Sequence, residues 1–166
     1  MLNRLIRGLA IFAGAILLSQ FPAFYDQYVQ RLGGRLDQAR VQVERIDAAA
    51  RAERMTRDAY IAVFVTSDRS PVARQGRIMR EQITDLGRLH AAQAALAPAR
   101  TLTRPVRFAR HVDRDLAGAT LESFQPGLPL TSEGIVYAAA GALSGLLIAV
   151  GAQRALSALR RRWRPA

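Results

Sequence analysis

The sequence predicts an all-α membrane protein in which two transmembrane helices flank a small helical hairpin or bundle domain. Three observations predict it. Residues 134–153 are an uncharged run of 20, bounded by Glu133 and Arg154. As an α-helix such a run rises about 30 Å, the thickness of a bilayer's hydrocarbon core, with its backbone groups bonded within the segment. A second apolar run, residues 8–25, follows Arg4 and Arg7. Finally, charge is segregated along the 166 residues: all 13 acids lie between Asp26 and Glu133, among 17 arginines, and the other seven arginines border the apolar runs. The chain therefore divides into an N-terminal segment 1–7, a first span 8–25, a helical region 26–133, a second span 134–153 and a basic tail 154–166.

The first span is the weaker one, because Ser19, Gln20 and Pro22 fall in its last third. An uncleaved anchor is favoured over a signal peptide. Ala13 and Ala15 would place a cleavage site inside the apolar run, and later cuts would put Leu17 or Phe21 where a small residue is required. Phe21, Phe24, Tyr25 and Tyr28 cluster where the helix would leave the lipid, Tyr137 sits near the matching end of the second span, and Trp163 lies beyond its other end. A neighbouring helix or interfacial water would satisfy the carbonyl that Pro22 frees.

Beyond the span, Tyr25, Val29, Leu32, Leu36, Ala39, Val43, Ile46 and Ala50 recur at heptad spacing. This seam either packs on its own domain or forms an intermolecular coiled coil, and the first is favoured. Gly33-Gly34 is expected to interrupt it, as a kink or a close approach of another helix. Thr56 reads as the N-cap of a short helix carrying Tyr60, Ile61 and Phe64. Ser70 and Pro71 read as cap and first residue of a long helix to about Ala97, with Val72, Met79, Ile83 and Leu86 on one stripe and Ile78, Leu89 and Leu96 widening it. Two long amphipathic helices joined by a short one predict an antiparallel hairpin. Thr103-Arg104-Pro105 opens a short helix through His111, Asp113 caps another, residues 125–130 cannot be regular helix, and Thr131 caps the second span.

These residues carry a resemblance. Leu18-Ser19-Gln20-Phe21-Pro22, followed by Gln27-Tyr28-Val29-Gln30-Arg31-Leu32-Gly33-Gly34-Arg35-Leu36-Asp37, resembles the N-terminal signature of a bacterial membrane family catalogued as domain of unknown function 2937. Phe124-Gln125-Pro126-Gly127-Leu128-Pro129-Leu130-Thr131 is similar to its C-terminal signature. The resemblance implies two spans around a helical region and carries over no catalytic or ligand residue.

The net charge of +11 does not point to nucleic acid, because the middle region carries only +4. Arg4, Arg7, Arg154, Arg160, Arg161, Arg162 and Arg164 instead read as topology anchors. The positive-inside rule then holds both ends in the cytoplasm and the middle region outside, across a bacterial inner membrane. The absence of cysteine excludes disulfides, thiolate metal sites and cysteine nucleophiles. His111 and Asp113 stand two residues apart and His90 could fold near them, but a metal needs three or four converging ligands, and the better role for Asp113 is the helix cap. There is no Gly-x-Ser-x-Gly elbow, no P-loop and no dinucleotide fingerprint. Catalysis, cofactor and metal are therefore not expected.

One interaction motif stands out. Gly141 and Gly145 form a Gly-x-x-x-Gly inside the second span, extended by Ala138 and Ala149, and Ala10 and Gly14 offer a matching small stripe on the first. The simplest use is packing of the two spans within one chain, and homodimerisation is the alternative. The expected partners are the lipid bilayer and a membrane or envelope protein. The expected role is a non-catalytic scaffold or assembly subunit, with a sensory, ligand-binding module as runner-up.

Overall fold

The computed structural model describes residues 1–127 and 131–162, and for residue 2 and residues 156–162 the backbone alone. Leu128, Pro129, Leu130, Trp163 and Arg164 lie outside the described residues, so part of the expected irregular stretch 125–130 and part of the basic tail do too. Every described element is helical: α1 (Leu2–Ser19), α2 (Phe21–Ala52), α3 (Arg57–Val65), α4 (Ser70–Leu96), a 3₁₀ turn (Thr101–Thr103), α5 (Arg104–His111), α6 (Arg114–Glu122) and α7 (Ser132–Arg162). The all-α class predicted from the sequence is the class observed. Two helical stretches, within residues 3–52 and 132–155, are long and apolar enough to cross a membrane.

The chain forms two compact units, residues 1–26 with 123–166 and residues 27–122. In the first, α1 packs against α7. Pro22 has no N–H for the carbonyl of Leu18, and the helix breaks there for the single residue Gln20 before resuming as α2. Thr131 caps α7 as expected, its Oγ1 accepting the Gly134 N–H at 3.1 Å.

In the second unit α2 and α4 run antiparallel. Ile46 shares an apolar cluster with Met79, and Leu32, earlier on α2, lines a cleft with Leu89, later on α4. The heptad seam is buried inside this unit: Leu32, Leu36, Ala39, Val43, Ile46 and Ala50 are all core residues. An intermolecular coiled coil along it would have to displace that packing. Gly33-Gly34 does not interrupt the helix. A methyl group at Gly33 would sit 3.7 Å from the Gln93 carboxamide, ordinary contact, and one at Gly34 would meet nothing within 4 Å, so the pair marks no close approach of another helix. The close approach occurs instead at Gly76 on α4, where a methyl group would lie 2.7 Å from the Val65 backbone nitrogen.

Thr56 caps α3 through the Ala59 N–H at 3.2 Å. On α4 the cap position falls on Arg69 rather than Ser70, which is already helical. The stripe also differs from expectation at Ile78, which is exposed, while Gly76, Met79, Leu89 and Leu96 are buried. Position 78 adjoins the buried position 79, and neighbouring residues on a helix point about 100° apart.

Candidate functional site

The stripe of small residues on α7 is buried. Gly134, Tyr137, Gly141, Gly145 and Ala149 follow one another at helical spacing, with Ala138 half-buried beside them. Ala10 and Gly14 on α1 are half-buried. The two helices meet backbone to backbone and antiparallel. A methyl group at Gly14 would lie on the Gly141 carbonyl oxygen and 3.1 Å from its carbon. One at Gly141 would lie 2.7 Å from the Gly14 carbonyl carbon, and one at Gly145 would lie 2.8 Å from that of Ala10. The structure thus brings Ala10, Gly14, Gly141 and Gly145 into one contact; of the other two small residues, Ala149 is buried and Ala138 half-buried. Larger side chains would hold the helices apart and forfeit dispersion contacts, the main attraction between helices in lipid.

Polar clasps close both ends of this pair. At one end the Arg7 Nε donates to the Gln153 Oε1 at 2.7 Å, and the Gln153 Nε2 donates to the Asn3 carbonyl at 3.1 Å. At the other, the Gln20 carboxamide bonds Gly127 twice, Nε2 to the carbonyl and N–H to Oε1, each 3.1 Å. Aromatic rings gather nearby: Phe21 stands 5.4 Å from Tyr137, and Phe24 meets Phe124 edge-on at 5.8 Å. Of the expected anchors, Arg7 is tied to Gln153, while Arg4 and Arg154 are exposed. Arg160, Arg161 and Arg162 lie on the last turn of α7, where only the backbone is described, and Arg164 lies outside the described residues.

The outward faces of both helices are apolar and exposed. Leu5, Leu9, Phe12 and Leu17 on α1 are each at least 60% exposed, as are Ile135, Leu147 and Ile148 on α7. Ser144, an exposed hydroxyl in the middle of α7, donates to the Ala140 carbonyl at 2.8 Å and so presents no unsatisfied donor.

The second unit holds a polar junction at Asp113. Its Oδ1 accepts the Leu116 N–H at 3.1 Å, capping α6, and its Oδ2 lies 3.3 Å from Arg88 on α4 and 3.7 Å from Arg35 on α2. Its backbone N–H donates to the Tyr28 hydroxyl at 2.9 Å. Tyr28 is fully buried and packs edge-on against Phe108, 5.0 Å away. Burial raises the Tyr28 pKa above the ordinary phenol value, partly offset by the Asp113 N–H, which would stabilise a phenolate. With its carboxylate engaged on three sides, Asp113 is a structural tie between α2, α4 and α6. A cleft of about 290 Å³ lies beside it, lined by Leu32, Arg88, Leu89, Arg110, His111 and Asp113. His90 is exposed and does not line it. No group of three or more metal-ligating side chains converges among the described residues.

Three features escaped the sequence reading. Gln20 was read as a weakness in the first span, and it forms the clasp to Gly127. Tyr28 was assigned to the aromatic cluster at the membrane edge, and it is a core residue of the second unit. Arg104 and Arg107 had no assigned role. They donate to the carbonyls of Ala99 and Ala95 at 3.3 and 2.9 Å, on either side of the C-terminal end of α4. Arginines just past a helix end were the available signal for Arg104 and Arg107.

No curated protein and no solved structure matches this chain. Residues 2–162 match the family described as "Protein of unknown function (DUF2937)", and the chain belongs to that family.

Proposed function

We propose that the protein is an integral membrane protein of the bacterial inner membrane, in which α1 and α7 cross the bilayer as a pair and the helical unit of residues 27–122 makes protein contacts as a non-catalytic scaffold or assembly subunit. The observation that carries the membrane reading is the contrast between the faces of α1 and α7. Their small residues are consumed in mutual contact, and their large apolar residues point outward with nothing covering them. Water would penalise that surface by about 25 cal/mol per Å², and lipid would not. In the reading favoured from charge, the arginines at both distal ends stay cytoplasmic and the second unit is extracytoplasmic. The scaffold role is supported by the structural employment of the junction residues, since Asp113, Arg35, Arg88 and Tyr28 hold helices together.

The cleft beside Asp113 favours a second reading, a ligand-binding module that signals through a partner. Co-purification in mild detergent separates the two: a stable protein partner supports the scaffold, and a ligand-induced thermal shift without one supports the sensor.

Topology is tested on a chain that has no native cysteine. Single cysteines at Ala48 and Ala97, both exposed, and at Ala158 in the tail are treated in intact cells with a membrane-impermeant thiol reagent, the outer membrane being permeabilised first. Labelling at 48 and 97 but not at 158 is expected. Labelling at 158 alone would make the second unit cytoplasmic and defeat the proposed orientation.

A further inference from the structure

The cleft beside Asp113 lies wholly within the second unit, and its lining is of two kinds. Leu32 of α2 and Leu89 of α4 are buried core residues, and Ala91, Ala92 and Val112 extend the apolar lining. The rest is polar: Arg88, Arg110, His111 and Asp113. Two contacts hold the last turn of α5 there. Phe108 packs edge-on against buried Tyr28 of α2, and Arg107 donates to the Ala95 carbonyl on α4.

Of the polar four, Asp113 and Arg88 are engaged. The Asp113 carboxylate caps α6 and lies 3.3 Å from Arg88 and 3.7 Å from Arg35. Arg88 also lies 3.4 Å from Asp85. Two carboxylates thus meet two guanidinium groups, and their charges offset. Arg110 and His111 differ. Both are exposed, and among the described residues neither side chain has a hydrogen-bond or ion-pair partner. Cations in the last turn of a helix complement its dipole. That accounts for their sign, and not for their place at an apolar cleft.

We propose that this cleft binds a small organic carboxylate, its two oxygens held by Arg110 and His111 and its apolar body seated on the apolar lining. The inference deepens the ligand-binding reading above and rests on it. A guanidinium presents paired N–H donors that match the two oxygens of a carboxylate, and imidazole supplies a further N–H whether neutral or protonated. One uncompensated guanidinium suits a monoanion better than a dianionic phosphate. The apolar body is needed as well, because an exposed ion pair alone gains little against water. The volume of about 290 Å³ fits a small ligand, at the lower end of the roughly 300–1,000 Å³ usual for such sites.

The test uses the full chain in phosphatidylcholine nanodiscs and three soluble probes: para-fluorophenylacetate, its neutral amide, and trifluoroacetate, which lacks the apolar body. Binding is read from fluorine NMR line broadening, with empty nanodiscs as the blank for partition into lipid. The amide and trifluoroacetate are expected to bind roughly fivefold or more weakly than the aromatic acid. Arg110→Gln is expected to weaken the acid about fivefold and leave the amide unchanged, with partial recovery in Arg110→Lys. His111→Ala should weaken the acid by a smaller factor. Ala91→Leu, which fills the cleft from a helix position, is expected to abolish binding of acid and amide alike. All four variants change exposed residues, and circular dichroism verifies their helix content.

Equal affinity for acid and amide would overturn the carboxylate class while the cleft stands as a ligand site. So would wild-type affinity for the acid in both Arg110→Gln and His111→Ala. Line widths that match empty nanodiscs for all three probes, or broadening that Ala91→Leu leaves unchanged, would also overturn the inference. The ligand-binding reading would then rest on the thermal-shift measurement alone.

Discussion

Asp47 and Arg57 form a two-pronged ion pair, with Nε and Nη2 each 2.5 Å from a carboxylate oxygen, and it ties the end of α2 to the start of α3. The donated hydrogen bonds from Arg57 pull the Asp47 carboxyl below its ordinary value of 3.8. A depressed carboxyl pKa means that the folded state prefers the ion. Its contribution is therefore complete above the unfolded value and disappears as pH falls through the folded one. Both side chains retain solvent contact, so the contribution is about 1 kcal/mol, the upper end for exposed pairs, favoured by fork geometry. Asp47→Asn should lower the urea midpoint of the second unit at neutral pH by an amount corresponding to that energy. The difference from wild type should shrink below pH 3.8 and vanish in stronger acid, as followed by circular dichroism. A difference that persists undiminished into acid would assign the pair no electrostatic role.

At the scale of elements, the contact between α1 and α7 separates glycines that matter from glycines that do not. Gly141→Leu should push the helices apart and destabilise the pair by about 1–3 kcal/mol, the usual effect of overpacking. Gly8→Leu and Gly151→Leu should have little effect, because a methyl group at either position meets nothing within 4 Å. Stepwise unfolding in mixed micelles would read all three. Equal gains at all three positions would mean that helix propensity, not close approach, determines stability here.

The same contact illustrates what was legible in the residues. Gly14, Gly141 and Gly145 were identifiable because close approach in lipid requires small side chains at i, i+4 spacing. Thr56, Asp113 and Thr131 were legible because a cap is a local hydrogen bond between residues three apart. Long-range choices were not. The heptad assigned Val29 to the seam, but Tyr28 is the fully buried residue, since its partners Phe108 and Asp113 are some 80 residues away and leave no trace in the local pattern. Gly33-Gly34 looked like an interruption on propensity, and a cost of about 1 kcal/mol per glycine is too small to break a helix whose flanking residues Leu32 and Leu36 are both buried. Gln20 had no readable partner, because its clasp is to a backbone group 107 residues later.

At the scale of the whole molecule, the decisive question is which solvent meets the outward faces of α1 and α7, and an arginine can ask it. Leu143 lies near the middle of the 134–153 run and is 58% exposed. If lipid surrounds it, Leu143→Arg costs about 3 kcal/mol of insertion free energy at mid-span, enough to leave much of the population uninserted. If water surrounds it, the same change exchanges an exposed apolar side chain for a solvated one and alters stability by no more than about 0.5 kcal/mol. Val41 on α2 supplies the control, since it is 46% exposed in the second unit and Val41→Arg should leave membrane retention unchanged. The measurement is the fraction of each variant retained by membranes after alkaline carbonate extraction. Selective loss for Leu143→Arg is expected. Equal retention of both variants would place the outward face of α7 against protein or water, and another chain would then have to cover the apolar surface that α1 and α7 leave exposed.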